Sequence, residues 1–209
     1  MSLKQVIVVG GGLAGLTSAL HLSRFGIQVI LIEKQSYPRH KVCGEYISNE
    51  VLPYLQSLGF DPFEHGAKRI DRFELSSVRG SSLKAKLPLG GFSLSRYTLD
   101  NALLKKAIES GVTLIKDTVL DIQFRKDQFL LKLKDRGDLK GTFVIGSFGK
   151  RSNLDQKLHR KFLKSKAPYL AVKAHYTCDY PDDMVGLHHF YGGYCGVSKI
   201  ENDQVNLCY

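Results

Sequence analysis

The 209-residue sequence contains no tryptophan, two methionines and six prolines. Its four cysteines, Cys43, Cys178, Cys195 and Cys208, stand far apart and form no Cys-x-x-Cys pair. That pattern excludes a zinc ribbon and a disulfide-dense scaffold, and it suits a reducing cytoplasm. The most apolar stretch, Val6 to Leu22, is broken by Gly10, Gly11, Gly12 and Gly15, so it reads neither as a membrane span nor as a signal peptide. Acidic residues are scarce: 20 Asp and Glu against 30 Lys and Arg leave a formal charge of +10. The densest basic stretch runs from Lys157 to Lys166. Leu158, Phe162 and Leu163 interrupt it at helical spacing, which predicts a solvated helix with one buried stripe. No helix-turn-helix or RNA-binding aromatic motif accompanies the charge, so no nucleic-acid partner is expected and anionic small molecules are the better use for it. What is present, 43% hydrophobic and 24% charged residues, is a globular composition. A chain this long buries roughly 70% of its unfolded surface without a staple.

Residues 4 to 33 carry most of the information. Val6-Ile7-Val8-Val9 is a continuous β-branched run, the mark of a parallel strand buried on both faces. It leads straight into Gly10-Gly11-Gly12-Leu13-Ala14-Gly15, a G-x-G-x-x-G turn. In such a turn Gly10 permits the tight bend, Gly12 lets a pyrophosphate approach, and Gly15 lets the helix pack on the strand. Leu16, Ala19, Leu20 and Leu22 give the following helix its sheet-facing side, and Gly26 ends it. A second strand, Gln28 to Ile32, stops at Glu33, which lies 18 residues beyond Gly15, and Lys34 follows it. An acidic side chain there accepts hydrogen bonds from an adenosine ribose and repels a 2′-phosphate. Strand, glycines, helix, strand and acid in this order predict a bound dinucleotide, without separating FAD from NAD.

Three further segments carry a resemblance. Pro38-Arg39-His40-Lys41-Val42-Cys43-Gly44-Glu45 resembles the motif after the second strand of geranylgeranyl-reductase-like flavoproteins, a branch of the p-hydroxybenzoate-hydroxylase-type FAD oxidoreductases. Arg96-Tyr97-Thr98-Leu99-Asp100, followed by Leu103, is similar to the group's R-x-x-(F/L)-D-x-x-L helix start. Val144-Ile145-Gly146-Ser147-Phe148-Gly149-Lys150-Arg151-Ser152 is similar to its v-i-G-A-D-G-x-x-S segment. The resemblance implies an α/β, Rossmann-like FAD-binding fold with a parallel sheet, plus the beginning of an antiparallel β-sheet substrate domain. It implies FAD as cofactor, with NADPH or NADH as a transient electron donor. The cofactor-binding residues it implies are Gly10, Gly12, Leu13, Ala14, Gly15, Glu33, Lys34, Lys41, Cys43, Gly44, Arg96 and Gly149; it names no catalytic acid or base.

Two departures stand out. The group's usual Asp in the third segment is Phe148 here, and the later G-D motif that wraps the flavin has no counterpart before Tyr209. The chain stops at Val205-Asn206-Leu207-Cys208-Tyr209, which reads like the interior of a strand, so a piece of a longer protein that binds FAD weakly is expected. The implied activity is reduction of C=C bonds in a lipid-like or polyketide-like substrate. The alternatives are a flavin monooxygenase hydroxylating an aromatic ring and, for a fragment, a non-catalytic dinucleotide-binding module. A halogenase is disfavoured because its tryptophan-containing motif cannot occur here. The substrate is expected to be a hydrophobic or aromatic small molecule. A lipid-like substrate would add peripheral membrane contact to a cytoplasmic location.

Elsewhere, Ile47 to Leu58 reads as a short helix interrupted by Pro53, and residues 73–75, 83–87 and 92–95 as three half-buried strands. Leu99, Leu103 and Ala107 predict one apolar face of a helix ending at Gly111. Val119–Phe124 and Phe129–Lys134 read as a meander turning at Lys126-Asp127, and Phe143–Ile145 as a return to the nucleotide sheet. The domain reading is 1–165 for the FAD-binding part, with inserted strands at about 70–95, and 166–209 for the start of the substrate sheet. Cys43 is either near the flavin, as the resemblance implies, or a small thiol packed on the first helix. Arg96 either contacts the cofactor or pairs with Asp100 or Glu33. His175 and the His188-His189 pair do not read as a metal site, since adjacent strand residues face opposite ways. Phe190, Tyr191 and Tyr194 read as sheet core first and as substrate wall second.

Overall fold

Branched apolar side chains set the first strand of the computed structural model, which describes residues 5–150, 152–164 and 168–209. In chain order, strand β1 (Gln5–Val9) leads to helix α1 (Leu13–Arg24) and β2 (Gln28–Glu33). Strand β3 (Tyr46–Ser48), helix α2 (Leu52–Ser57) and the long strands β4 (Lys68–Ser76) and β5 (Ser82–Ser93) follow. Helix α3 (Arg96–Glu109) precedes β6 (Thr113–Lys116), β7 (Val119–Arg125), β8 (Gln128–Leu133), β9 (Leu139–Gly141) and β10 (Phe143–Gly146). Helix α4 (Asn153–Lys157), β11 (Lys173–Tyr176), β12 (Met184–Phe190), β13 (Gly193–Lys199) and β14 (Val205–Cys208) complete the order.

The chain divides into two compact units, residues 1–37 with 100–168 and residues 38–99 with 169–209. The first unit holds a parallel sheet in the order β10-β1-β2-β6 and a three-stranded meander, β7-β8-β9. Its register runs Val6 opposite Val29 and Phe143, so β1 is an inner strand paired on both sides. Ile7, Val9, Ile30, Ile32, Leu131 and Leu154 form one buried cluster, and Phe148 packs against it. Where the group's segment has an Asp, this chain has a half-buried Phe148 packed against that core. On α1, Leu16, Ala19 and Leu20 are buried as the spacing predicts, whereas Leu22 is half-buried. The meander turns at Lys126-Asp127, both with positive φ.

The second unit is built on a seven-stranded sheet, β11-β14-β13-β12-β4-β5-β3. Its pairs are antiparallel except β12 with β4. The strands expected at 83–87 and 92–95 are one strand, β5, which passes through Pro88 and Gly90-Gly91. At Gly91 a Cβ would lie 2.4 Å from the Tyr46 ring, so glycine is what lets β3 pair there. The helix expected over 47–58 is instead β3, a 3₁₀ turn and α2, with Pro53 in the helix's first turn. Proline is tolerated there because that N–H has no intrahelical acceptor to lose. A bulge between Ile70 and Arg72 is stapled by the Asp183 carbonyl, which accepts from the N–H groups of Asp71 and Arg72 at 3.0 Å each.

Two further sequence expectations fail. Leu158, Phe162 and Leu163 are exposed rather than forming a buried stripe, because α4 ends at Lys157 and the chain turns at His159 (φ 52°) before a separate 3₁₀ turn. Lys166 of that basic stretch, Arg151 of the third motif and residues 165–167 around the expected domain boundary lie outside the described residues. Phe190, Tyr191 and Tyr194 are not core: they surround the β12–β13 hairpin tip, and Tyr191 is 90% exposed.

Helix α3 begins on a polar knot. Ser95 Oγ accepts from the Thr98 N–H at 3.1 Å, the N-cap bond, while the Glu201 carboxylate accepts from Ser95 N–H (2.9 Å), Thr98 Oγ1 (2.6 Å) and Ser95 Oγ. Burial pushes the Glu201 pKa up, but the Ser95 and Thr98 hydrogen bonds outweigh it and hold it below its ordinary 4.5. A carboxyl depressed by folding stabilises the native state above its unfolded pKa and loses that contribution as pH falls through the folded value. Melting temperature should therefore drop as pH falls below about 4.5, and Glu201→Gln should flatten that acid limb. An equally steep limb in the variant would remove Glu201 from the account.

Candidate cofactor and substrate sites

The turn after β1 uses its glycines for different reasons. Gly10 has φ +104°, and a Cβ there would lie 2.4 Å from the Ser147 carbonyl oxygen. A Cβ on Gly15 would come within 1.9 Å of the Gly10 carbonyl oxygen, so α1 rests directly on the turn. Around the Cβ position of Gly12 nothing lies within 4 Å. Gly12 is the N-cap of α1, brings no capping side chain, and is followed by Leu13 and Ala14 with no acidic residue in the first turn. Unpartnered N–H groups beside open space at a helix N-terminus make an anion seat. The sequence reading assigned no task to Gly11, yet its Cβ would meet Tyr37 Oη at 1.9 Å, and that hydroxyl donates to the Gly11 carbonyl.

Glu33 is buried at the end of β2. Its Oε2 accepts from the Gly11 N–H at 2.7 Å and its Oε1 from the Gln35 N–H at 2.8 Å. The acid therefore braces the glycine turn from the end of β2. A cavity of about 110 Å³ opens beyond the carboxyl ends of β1 and β2, bordered by Gly10, Glu33, Lys34, Asp117, Thr118 and Phe148. Ligands of open parallel sheets sit in this crevice, where the connections leave the central strand in opposite directions. Ser147 fixes its floor by donating to the Val9 and Gly10 carbonyls at 2.9 and 2.7 Å. Gly149, with φ +75°, is exposed just beyond. Asp117, overlooked in the sequence, accepts from the N–H groups of Thr118 (2.6 Å) and Arg136 (3.0 Å) and holds the β6–β7 and β8–β9 connections.

The sequence matches the FAD binding domain family over residues 4–175. The chain belongs to that family. Its cofactor is FAD, and the first unit fits it: a helix N-terminus open at Gly12, an acid at the end of β2, and a crevice bordered by Gly10 and Glu33. Menaquinone reductase of Mycobacterium tuberculosis is 26% identical over 220 residues, covering 97% of this chain and 54% of that protein. Digeranylgeranylglycerophospholipid reductase 1 of Methanosphaera stadtmanae is 30% identical over 163 residues, covering 74% and 40%. The chain thus spans about half the length of the curated relatives it matches. The fold is shared with a geranylgeranyl bacteriochlorophyll reductase-like protein from Thermoplasma acidophilum, with TM-score 0.79, 18% identity, and 98% and 56% coverage. It is shared too with p-nitrophenol 4-monooxygenase from Pseudomonas putida, with TM-score 0.80, 17% identity, and 99% and 57% coverage.

Of the residues singled out in the sequence, Gly10, Gly12, Leu13, Ala14, Gly15, Glu33, Lys34 and Gly149 fall in the first unit and Lys41, Cys43, Gly44 and Arg96 in the second. Within the second unit the Cys43-Gly44 segment is tied to β14, since Asn206 Nδ2 donates to the carbonyls of Cys43 (3.3 Å) and Gly44 (3.0 Å). Cys43 Sγ accepts from the Glu45 N–H at 3.4 Å, and among the described residues no base is hydrogen-bonded to the half-buried thiol. The Arg96 N–H donates to Glu45 Oε1 at 2.7 Å. An apolar cavity of about 400 Å³ lies against the sheet, walled by Tyr46, Phe73, Leu87, Leu187 and Val197, with Gly44 on its border. Among the described residues no group of three or more His, Cys, Asp or Glu could hold a metal ion; His188 and His189 each bond Ser76 instead.

Proposed function

We propose that the protein is an FAD-dependent oxidoreductase that reduces C=C bonds of a lipid-like, isoprenoid or polyketide-like substrate. The observation that carries this reading is the apolar 400 Å³ cavity beside the Cys43-Gly44 segment, in a family whose relatives are named as menaquinone and digeranylgeranylglycerophospholipid reductases. Bound FAD supplies the hydride chemistry. The N-terminus of α1 at Gly12, Leu13 and Ala14 holds the pyrophosphate, Gly10 and Gly15 shape the turn, and Glu33 with Lys34 takes the ribose end. Gly149 gives the phosphates room. Lys41, Cys43, Gly44 and Arg96 serve the flavin end, as the resemblance implies, with NADPH or NADH as electron donor. A lipid-like substrate brings the protein to a membrane surface; no described helix is long and apolar enough to cross one.

Glu33→Arg should weaken FAD binding by about 10- to 100-fold, the worth of hydrogen bonds to a charged group. Because Glu33 also braces Gly11, melting of the FAD-free protein must be measured beside it. Unchanged FAD affinity would sink the ribose assignment. The test of the function itself is an absorbance spectrum after FAD loading and desalting, followed by anaerobic reduction with NADPH or NADH. Reoxidation of the reduced flavin by an isoprenoid alkene without oxygen supports the reductase. Reoxidation only with oxygen and a phenol indicates a monooxygenase instead, and no retained flavin indicates a non-catalytic module.

A further inference from the structure

Two hairpins of the second unit end side by side. Strands β4 and β12 run parallel with Ser76 opposite His188, so the β4–β5 turn at Val78-Arg79-Gly80 lies beside the β12–β13 turn at Tyr191-Gly192. Gly80 (φ +85°) and Gly192 (φ +86°) make both turns tight. His189 ties them together: its Nδ1 donates to the Ser76 carbonyl at 3.1 Å, and it borders a cavity of about 470 Å³ with Val78 and Leu83. Apolar and aromatic side chains crowd this end of the sheet. Tyr191 is 90%, Leu83 61% and Tyr194 55% exposed, and Val78 and Phe190 are exposed beside them. Single exposed apolar residues are ordinary, but a contiguous group of them marks an interaction surface.

Charge and continuity choose the partner. Residues 75–86 and 187–196 include Arg79, Lys84 and Lys86 but no Asp or Glu. Glu74, just behind them, is ion-paired with Lys84 at 3.9 Å. Basic groups around aromatic and aliphatic side chains complement an anionic lipid surface, where a tyrosine keeps its ring in the apolar layer and its hydroxyl among the headgroups. The patch also runs into the apolar cavity of about 400 Å³ described above. Directly paired residues share a sheet face, so Leu83, Leu75 and Leu187 stand in one row. Tyr194 is on that face too, two residues from Gly196, the partner of Leu187. Leu187 and Tyr194 are both walls of the cavity. One face of the sheet thus leads from the exposed tips to the cavity.

We propose that the two hairpin tips dock this protein on an anionic lipid bilayer. Tyr191, Val78 and Leu83 enter the headgroup boundary, Arg79 and Lys84 meet lipid phosphates, and a lipid-like substrate passes from the bilayer to the apolar cavity by way of Tyr194. The choice of partner rests on the reductase reading with its lipid-like substrate. Vesicle binding is measured without turnover, so its failure leaves the flavin test of that reading untouched.

The lack of tryptophan supplies the probe. Tyr191→Trp gives the whole chain one indole at the tip, read with vesicles of equimolar phosphatidylcholine and phosphatidylglycerol. Its emission should shift to the blue and be quenched by brominated acyl chains, and binding should weaken as salt rises. In co-sedimentation with the same vesicles, Arg79→Gln should bind about fivefold more weakly than the unaltered chain, the worth of one basic residue at such a surface. Leu83→Ser combined with Tyr191→Ser should bind about tenfold more weakly. Both variants should melt normally, since all three side chains are exposed. Phe25→Ser, which removes a 74% exposed ring of the first unit, should bind like the unaltered chain. An unshifted indole, undiminished binding in the tip variants, or an equal loss in Phe25→Ser would overturn the proposal. A blue shift that grows with protein concentration in the absence of vesicles would overturn it too, assigning the tips to contact with a second copy.

Discussion

Replacing Glu45 with alanine should cost about 3–5 kcal/mol of stability, the penalty for leaving one partner of a buried ion pair uncompensated. The variant strands the Lys173 ammonium, 4% exposed, and removes the acceptor of both Arg96 N–H and His175 Nε2. It also leaves alanine in a left-handed backbone position. Lys173→Met should cost less, about 1.5–3 kcal/mol, because Glu45 keeps its other two donors. Urea unfolding read by far-UV circular dichroism tests the order of the two variants. Equal midpoints for Glu45→Ala and the unaltered protein would mean that the cluster is solvated rather than buried.

Gly15→Ala should be the most damaging single methyl in the first unit. The added carbon would sit 1.9 Å from the Gly10 carbonyl oxygen, a backbone atom that cannot swing aside, so α1 must lift from the turn. Overpacking of this kind costs about 3 kcal/mol, and FAD retention should fall with it. Gly12→Ala is the informative contrast. Its Cβ meets no atom of the protein, and loss of an N-cap glycine costs at most about 1 kcal/mol. If the pyrophosphate lies over Gly12, that variant should melt almost normally yet bind FAD at least about tenfold more weakly, a difference near 1.4 kcal/mol. Equal loss of affinity and stability in the two variants would remove the phosphate from Gly12.

The same two sites divide what was legible from what was not. The β-branched run of β1, the spaced glycines and the acid ending β2 could be read directly, because each depends on neighbours within 30 residues. The apolar face of α3 was equally plain, and Leu99, Leu103 and Ala107 are all buried. Helix periodicity misled over Lys157–Lys166, where a turn at His159 breaks the face that the spacing implied. Alternation split β5 in two at Pro88 and Gly90, since a strand's continuity is decided by pairing with β4 and β3 rather than by its own residues.

The sequence by itself determined the nucleotide-binding unit, because a phosphate-binding turn is a local device whose chemistry is written in consecutive residues; the family and FAD came from the likeness of whole segments and the family match over residues 4–175. Only the tertiary structure decided that Glu33 braces Gly11, that Phe148 packs half-buried against the core, and that Glu45, Lys173 and His175 meet. Residues 128 and 130 positions apart become a buried cluster only when β11 pairs with β14 and Asn206 of β14 binds the Cys43-Gly44 segment. Long-range pairing of that kind leaves no periodic trace in the chain, since the energy that selects it comes from burial and register rather than from spacing.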